Sequence, residues 1–273
     1  MKNFDAIVIA GSSVTADEAW PTWATWFRKL SLNIAIHDVS VKGLGNEAII
    51  TKAVHTAQQF DRPMIIMQLT SVDKWDWYVE NHDLCETMRR QKHTVTRLRD
   101  TDRHGYWSTG SHFPLWKEYY GQHYFGLEHA AFHSAMLLSW YQMTVCARHW
   151  SSLVLFDSPI FSVPERTLNQ GSLDRDQLRS TTLLQNSLCD LVAPSLTFEN
   201  IHVPGIIGYA VENQLPWYSA RFKGHPGSLI HFEFFRHVML PRLRELFDCC
   251  LLDVDEYHAE AEKYQKLFDQ TAV

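Results

Sequence analysis

The sequence has no paired cysteine motif, no basic block and no apolar run near the ~20 residues that a membrane-spanning helix needs. Its five cysteines are scattered without a CxxC pair, which disfavours both a disulfide scaffold and a structural zinc site. Lys and Arg total 25 against 31 Asp and Glu, so the charge balance does not favour nucleic acid as a partner. The first residues, MKNFDAIVIAG, lack the long apolar core of a signal peptide. These absences predict a cytoplasmic protein with neither a membrane nor a nucleic-acid partner.

Short apolar runs rich in β-branched residues recur along the chain and predict buried strands. They are Ala6–Ala10, Asn33–His37, Met64–Leu69, Leu153–Phe156 and, more weakly, Ile201–Val203. Segments of helical character separate the early strands, and this alternation favours a parallel sheet covered by helices on both faces. A chain of 273 residues with 45% hydrophobic content can bury such a core as one domain.

Capping residues mark the starts of several predicted helices. Thr15 with Glu18 matches a capping box and predicts a helix that begins there and runs through Trp23. Asn46 and Ser228 precede apolar periodic segments and are the predicted N-caps of two further helices. The helix predicted to begin at Thr15 would follow the first strand directly.

Residues 82–150 do not follow the alternation of strands and helices. They contain a charged helical stretch (Asp83–Arg99), a polar loop (Asp100–His112) and a long helix candidate (Glu118–Trp150). We therefore predict a single α/β domain over residues 1–273 with a helical insertion at about 82–150. Such an insertion would suit a lid or the surface of a homo-oligomer.

Two serines directly follow the first predicted strand, in the tripeptide Gly11-Ser12-Ser13. Ligands of open α/β sheets bind at the carboxyl ends of the strands, where these hydroxyls would lie. A catalytic serine needs a base, usually histidine, and donors for the oxyanion that forms after attack. His225, in a Gly-His-Pro turn near the other end of the chain, is the candidate base. The structural alternative is a plain turn serine and a loop histidine.

Four sequence blocks together resemble the SGNH/GDSL hydrolase superfamily: GSSVT (11–15), GLGNEAII (43–50), MQLTSVDKW (67–75) and GHPGSLIH (224–231). The resemblance implies a three-layer α/β/α sandwich whose mostly parallel sheet is flavodoxin-like. It implies ester hydrolysis through an acyl-serine intermediate, with Ser13 as the nucleophile and His225 as the base. It covers the chain ends and the early strands but not residues 82–150.

The resemblance also implies the groups that bind the oxyanion. These would be the backbone N–H of Ser13 and that of a glycine in the second block, either Gly45 or, as the less favoured alternative, Gly43. The asparagine that the family carries in its third block is absent here. The candidates to replace its side-chain donor are Asn46, Thr70 and Ser71.

The acid that usually orients the family's histidine is absent as well. Phe222 and Lys223 stand upstream of His225, where the family carries an aspartate. Without a carboxylate, the tautomer and the ring position of a histidine are less well fixed, so it is a weaker base. Asp157, at the end of a predicted strand, is the first candidate for a substitute acid, and Glu212 is the second.

Residues of two kinds are predicted to line the pocket, small polar ones and aromatic ones. They are Ser12, Thr70, Ser71, Trp75 and Trp77. Trp20, Trp23 and Trp26, in contrast, recur at helical spacing and are predicted to pack in the core.

No metal or organic cofactor is predicted. His129 and His133 are four residues apart on a predicted helix, a spacing at which two imidazoles can share one metal ion. The HExxH order is absent, however, and pairs of histidines arise easily by chance among fifteen of them.

The sequence therefore predicts a serine esterase or deacylase. Its expected substrate is a small-molecule or carbohydrate ester, on which O-linked acyl groups would be hydrolysed. One alternative is an O-acyltransferase that passes the acyl group to a sugar instead of water. Another is a degenerate SGNH scaffold that binds a partner or builds an assembly without catalysis, which the missing acid and the missing asparagine favour.

Overall fold

The structure is a computed structural model, and the residues that it describes form several separate ranges. These are residues 4–16, 20–30, 32–70, 76–79, 83, 95–96, 105–108, 127–156, 205–215, 226–247 and 254–271. The strands among them are β1 (Ala6–Ala10), β2 (Ala35–Asp38), β3 (Pro63–Leu69), β4 (Asp76–Val79), β5 (Val95–Thr96), β6 (Gly105–Ser108) and β7 (Ser151–Phe156). The α-helices are α1 (Trp23–Lys29), α2 (Asn46–Ala57), α3 (Leu127–Ala147), α4 (Ile206–Glu212), α5 (Ser228–Phe234), α6 (Leu240–Phe247) and α7 (His258–Thr271). A π-helical turn (Phe235–Met239) joins α5 to α6, and a 3₁₀ turn (Asp255–Tyr257) precedes α7.

Four of the described strands form a parallel sheet in the order β2-β1-β3-β7. The chain moves from β1 to one side and then returns to place β3 on the other, which is the strand order of flavodoxin-like sheets. The predicted α/β class and the four stronger strands are thus confirmed, with bounds shifted by at most a few residues. The fifth predicted strand, Ile201–Val203, lies outside the described residues.

Alternate side chains of β1 point to opposite faces of the sheet and enter two separate apolar clusters. Ile7 and Ile9 pack with Trp23 and Trp26 of α1 in the cluster that also includes side chains of α4, α5 and α6. Val8 and Ala10 pack in the other cluster, which α2 and α3 cover. The sheet is therefore covered on both faces. Trp23 and Trp26 lie in the core as predicted, whereas Trp20 is only partly buried.

The helix predicted to begin at Thr15 instead begins at Trp23, so this prediction is wrong. Thr22 is the N-cap, and the residues before it include Pro21. A proline disfavours the helical conformation in the residue before it, here Trp20, and it has no N–H to donate. The helix therefore begins only after Pro21, and the segment behind Ser13 is a turn followed by non-helical chain in its described part.

The two other predicted helices form, but each is capped by the glycine before the predicted residue. Gly45 and Gly227 are extended (φ −89° and −77°), which is the backbone conformation of an N-cap. Asn46 and Ser228 are already the first helical residues. The side chain of Asn46 is consequently free to bond elsewhere.

The insertion is not wholly helical, which corrects the sequence-based prediction for residues 82–150. Two short strands lie within this range, β5 in the predicted charged helix and β6 in the predicted polar loop. They belong to a second, antiparallel sheet in the order β4-β6-β5, in which β6 pairs with both β4 and β5. The long helix is confirmed as α3 over Leu127–Ala147. That residues 1–273 form a single domain stays a prediction.

None of the helices in the described ranges combines the length and the apolar character that crossing a membrane requires.

Candidate functional site

Four of the described site candidates lie just beyond the carboxyl ends of neighbouring parallel strands. Ser13 follows β1, Gly45 and Asn46 follow β2, and Thr70 follows β3. Because the carboxyl ends of parallel strands meet at one edge of the sheet, these residues share that edge. The order β2-β1-β3 also makes β1 and β3 the point at which the chain reverses direction across the sheet, where open α/β sheets have their ligand crevice.

Ser13 lies in a tight turn that the backbone holds at the end of β1. The N–H groups of Thr15 and Ala16 both donate to the carbonyl oxygen of Ser12, at 3.0 and 2.9 Å. Ser12 is 2% exposed, whereas Ser13 is half-buried and thus more accessible to solvent. The turn therefore presents Ser13, and not Ser12, toward solvent.

Gln68 of β3 ties this turn to its surroundings through a buried hydrogen-bond network. Its side-chain oxygen accepts the hydroxyl of Thr15 at 2.7 Å and the indole N–H of Trp23 at 2.6 Å. An indole N–H can only donate, so the amide oxygen of Gln68 must face it. The amide nitrogen then donates to the carbonyl of Phe156 at 3.4 Å, and Thr22 donates its hydroxyl to the carbonyl of Thr15 at 2.7 Å. The network joins the serine turn to β3, β7 and α1.

Gly11 leaves no room for a side chain against this network. A Cβ atom added to Gly11 would lie 2.1 Å from the hydroxyl oxygen of Thr15 and 2.6 Å from its Cβ. Thr15 is fully buried and bonded to Gln68, so a shift of its side chain would break that hydrogen bond. We expect Gly11→Ala to lower the free energy of unfolding by about 1–3 kcal/mol, the usual cost of overpacking a core.

Gly227→Ala is the matched control for this prediction. A Cβ at Gly227 would also be crowded, but by the amide end of Gln265, which is the far end of a flexible side chain. Denaturant unfolding of both variants checks the comparison. Equal losses of unfolding free energy in the two variants would show that crowding Thr15 costs no more than crowding Gln265.

Asn46 bridges the start of α2 to the end of β3. Its amide oxygen accepts the N–H of Thr70 at 2.9 Å, and its amide nitrogen donates to the carbonyl of Thr70 at 3.1 Å. The same nitrogen lies 3.3 Å from the hydroxyl of Ser134 on α3. Asn46 thus lies at the predicted edge, with its side-chain amide engaged by the protein itself.

Asp76 is a functional candidate that the sequence analysis missed. This residue begins β4 and is 5% exposed, and its two carboxylate oxygens accept the N–H groups of Gly45 and Ala48, each at 2.8 Å. Burial, and then the charge of Asp76, raise the pKa of the neighbouring Glu47 above its ordinary value. No local signal marks a residue 31 positions downstream as the acceptor for Gly45. The Gly45 N–H, a predicted oxyanion donor, therefore already faces a carboxylate.

The C-terminal block that follows His225 contacts the segment that follows Ser13. The indole N–H of Trp20 donates to the carbonyl of Pro226 at 3.1 Å. The backbone N–H of Trp23, at the start of α1, donates to Nδ1 of His231 at 3.4 Å. His231 is 1% exposed and so has a packing and hydrogen-bonding position. The fold thus brings residues 20–23 and 226–231 together.

Several predicted site residues fall outside the part of the chain that the structure describes. They are Ser71, Trp75, Asp157 and His225, together with the side chain of Trp77 on β4. Their proposed roles stay predictions. Glu212, the second candidate acid, is the last residue of α4 and is exposed.

Of the two histidines considered for a metal ion, His133 lies beside a carboxylate of α2, and the side chain of His129 lies outside the part of the chain that the structure describes. Nε2 of His133 lies 3.9 Å from a carboxylate oxygen of Glu47, a distance suited to an ion pair when the histidine is protonated. No group of three or more His, Cys, Asp or Glu side chains that could hold a metal ion occurs among the described residues.

Comparisons with known proteins find distant structural similarity. No protein-family model matches the chain, and no curated protein matches its sequence. An esterase, EstA from Pseudoalteromonas sp., is 11% identical, with 90% of this chain and 100% of that one covered and a TM-score of 0.46. TesA is 12% identical (88% and 99% covered, TM-score 0.45), and a catalytic mutant of Axe2, an acetylxylan esterase from Geobacillus stearothermophilus, is 10% identical (86% and 94% covered, TM-score 0.46). Similarity at this level carries no argument about family or activity, so the fold class rests on the sheet itself.

Proposed function

We propose that this protein is a serine esterase or deacylase in which Ser13 attacks an ester and His225 is the base. One observation carries the proposal. The hydrogen bond from Trp20 to Pro226 holds the residue next to His225 against the chain segment that leaves the Ser13 turn. Ser13 itself lies at the carboxyl edge, beside the β1/β3 reversal, where α/β folds bind ligands. The two ends of the chain therefore contribute to one region, as the chemistry requires.

The proposed reaction has two steps, acylation and deacylation. The Ser13 hydroxyl oxygen bonds to the ester carbonyl carbon while His225 takes the hydroxyl proton. The tetrahedral oxyanion then collapses, and the alcohol leaves with the proton from His225. Water, deprotonated by His225, next attacks the acyl-serine, and Ser13 leaves with the proton. The reaction involves no change of oxidation state, and His225 returns each proton that it takes.

The oxyanion needs hydrogen-bond donors, and two of the predicted donors are bonded to other groups of the protein. The Ser13 N–H is the first candidate. The Gly45 N–H ends on the Asp76 carboxylate, and the Asn46 amide is bonded to Thr70 and Ser134. Gly43 has a positive φ of 82°, a conformation that favours glycine, and lies in the same loop. Because the Gly45 N–H is engaged by Asp76, we propose the Gly43 N–H, from the same loop, as the second donor.

A mass measurement tests the acyl-serine intermediate directly. The intact protein is mixed with p-nitrophenyl acetate, stopped in acid within seconds and digested. One acetyl group on the peptide that contains Ser13 is the expected result. An acetyl group found only on other peptides would contradict the mechanism.

O-acylated carbohydrate is the substrate class that we propose, with hydrolysis favoured over transfer. The test measures free acetate and acetylated acceptor when the protein is given an acetylated sugar together with an unacetylated one. Acetate release without acetylated acceptor supports the hydrolase, and acetylated acceptor in excess of acetate indicates the O-acyltransferase.

A degenerate scaffold is the second candidate function. The observation in its favour is that the Gly45 N–H and the Asn46 amide are both engaged by the protein. It predicts that the wild-type protein and Ser13→Ala release p-nitrophenol at the same background rate. A rate that depends on Ser13 contradicts it.

Trp20 gives a test of the contact that carries the proposal. Trp20→Phe keeps an aromatic ring near Phe268, which lies edge-on at a centroid distance of 5.0 Å, but loses the N–H that bonds Pro226. We expect kcat to fall about 5- to 50-fold with little change in KM, because small errors in the position of a catalytic group are costly.

Trp26→Phe is the matched control for this substitution. The Trp26 indole N–H is buried and has no hydrogen-bond partner in the described part of the chain, so the variant loses no bond. Steady-state kinetics of both variants check the prediction. Equal changes in kcat would show that the loss comes from ring size and not from the bond to Pro226.

A further inference from the structure

A buried carboxylate joins the second sheet to the helix at the carboxyl edge. Asp76 lies in β4, and its two oxygens accept the N–H groups of Gly45 and Ala48 at 2.8 Å each. The first N–H groups of a helix have no partner within it, and the helix dipole favours a negative charge there. Asp76 thus supplies from a distant segment the cap that Gly45, which has no side chain, cannot supply.

The first turn of α2 is held from two directions at once. Asp76 bonds its backbone from the side of β4. Asn46 bonds the backbone of Thr70 at the end of β3 with both atoms of its amide. The loop from Gly43 to Asn46 therefore has a position that depends on both side chains, and it faces the edge where Ser13 lies.

One N–H cannot serve both Asp76 and an oxyanion. Two negative charges about 3 Å apart in a partly buried site repel strongly, and such pairs are avoided unless one is protonated. Asp76 therefore removes Gly45 from the set of oxyanion donors. The same bond fixes the loop from which another N–H must come.

We propose that Asp76 is a positioning residue of the acyl-transfer site. It accepts the Gly45 N–H and holds the Gly43–Asn46 loop in the position from which another N–H binds the oxyanion. This inference rests on the proposed function. Asp76 acts through the loop and does not touch the substrate. Its loss should therefore lower kcat more than it changes KM.

Asp76→Ala is the direct test, and Asp5→Ala is its matched control. We expect kcat on p-nitrophenyl acetate to fall about 10- to 100-fold in Asp76→Ala with KM within about threefold, since a misplacement of about 1 Å can cost 10²-fold. Asp5 also accepts two backbone N–H groups, those of Asp61 and Arg62. It lies before β1, however, at the opposite edge of the sheet, so kcat of its variant should stay within about twofold of the wild type.

Two further measurements separate positioning from a loss of folding. In Asp76→Asn the amide oxygen can still accept the Gly45 N–H, while its NH₂ group faces the Ala48 N–H, so kcat should fall about 3- to 10-fold. Added formate should raise kcat of Asp76→Ala but not of Asp5→Ala, because formate can occupy the space of the lost carboxylate. Circular dichroism and melting curves confirm that each variant is folded at the assay temperature.

The outcomes distinguish this inference from the proposed function. A wild-type protein without Ser13-dependent activity overturns both. An active wild type whose folded Asp76 variants retain kcat within about twofold overturns the inference alone. An equal loss in Asp5→Ala, or no rescue of Asp76→Ala by formate, also counts against it.

Discussion

Ser13→Ala is expected to lower kcat/KM for p-nitrophenyl acetate by at least about 10³-fold, because removing the nucleophile of a serine hydrolase abolishes the acyl-enzyme route. The substitution removes one oxygen atom from a half-buried side chain. The turn around it is held by backbone bonds to Ser12 and by the Thr15 side chain, and these remain. The variant should therefore fold like the wild type while losing its activity.

Ser40→Ala is the matched control for the loss of a serine hydroxyl. The Ser40 oxygen is buried and has no hydrogen-bond partner among the described residues, so its removal breaks no bond. We expect its kcat/KM to stay within about twofold of the wild type. If Ser13→Ala retained activity similar to Ser40→Ala, Ser13 would not be the nucleophile.

The same experiment extends to His225. Residues that act as one unit are strongly non-additive, so His225→Ala should cost about 10³-fold or more and the double variant hardly more than either single one. Multiplication of the two losses in the double variant would show that the groups act independently. It would contradict the proposed pair even if each residue matters.

Gln68→Leu is expected to lower the free energy of unfolding by about 2–5 kcal/mol. Leucine cannot accept the Thr15 hydroxyl or the Trp23 indole N–H, and each donor left buried without a partner costs about 1–3 kcal/mol. Water cannot readily replace the lost acceptor, because Thr15 and Trp23 are both fully buried. Denaturant unfolding measures the loss.

Gln265→Leu is the matched control for this core substitution. The Gln265 amide accepts the N–H of Leu229 at 3.3 Å and donates to Asp269, an exposed residue, so solvent can replace part of these bonds. We expect a loss of about 1 kcal/mol or less. A Gln68→Leu variant as stable as this control would show that the Thr15 network contributes little.

The activity of Gln68→Leu is informative at temperatures where the variant is folded. Thr15 closes the turn that presents Ser13, and its side chain would lose its anchor on β3. We expect a fall in kcat together with the loss of stability. Normal activity would indicate that backbone bonds alone hold the turn.

Local sequence patterns were sufficient to predict the central sheet and the place of Ser13. The strands β1, β3 and β7 are apolar runs long enough to be buried on both faces, and a parallel sheet between helices is the arrangement that buries such runs. A serine that directly follows β1 must then lie at the carboxyl edge. The sequence holds two conflicting signals for the start of α1: the Thr15–Glu18 pattern favours an early start, and Pro21 disfavours a helix that continues through Trp20.

Contacts between distant residues depended on the tertiary structure. Gln68 and Asp76 carry no motif, since a buried amide and a buried carboxylate acquire their roles from donors 45 and 31 positions away, on Trp23 and Gly45. The short strands β5 and β6 lie in a polar segment and form through pairing with each other and of β6 with β4, not through local preference. The chain alone thus determined which residues are buried in the sheet and where the serine stands. Folding decided which of the predicted oxyanion donors are bonded within the protein, because buried polar groups bond to whichever partner the packing brings within reach.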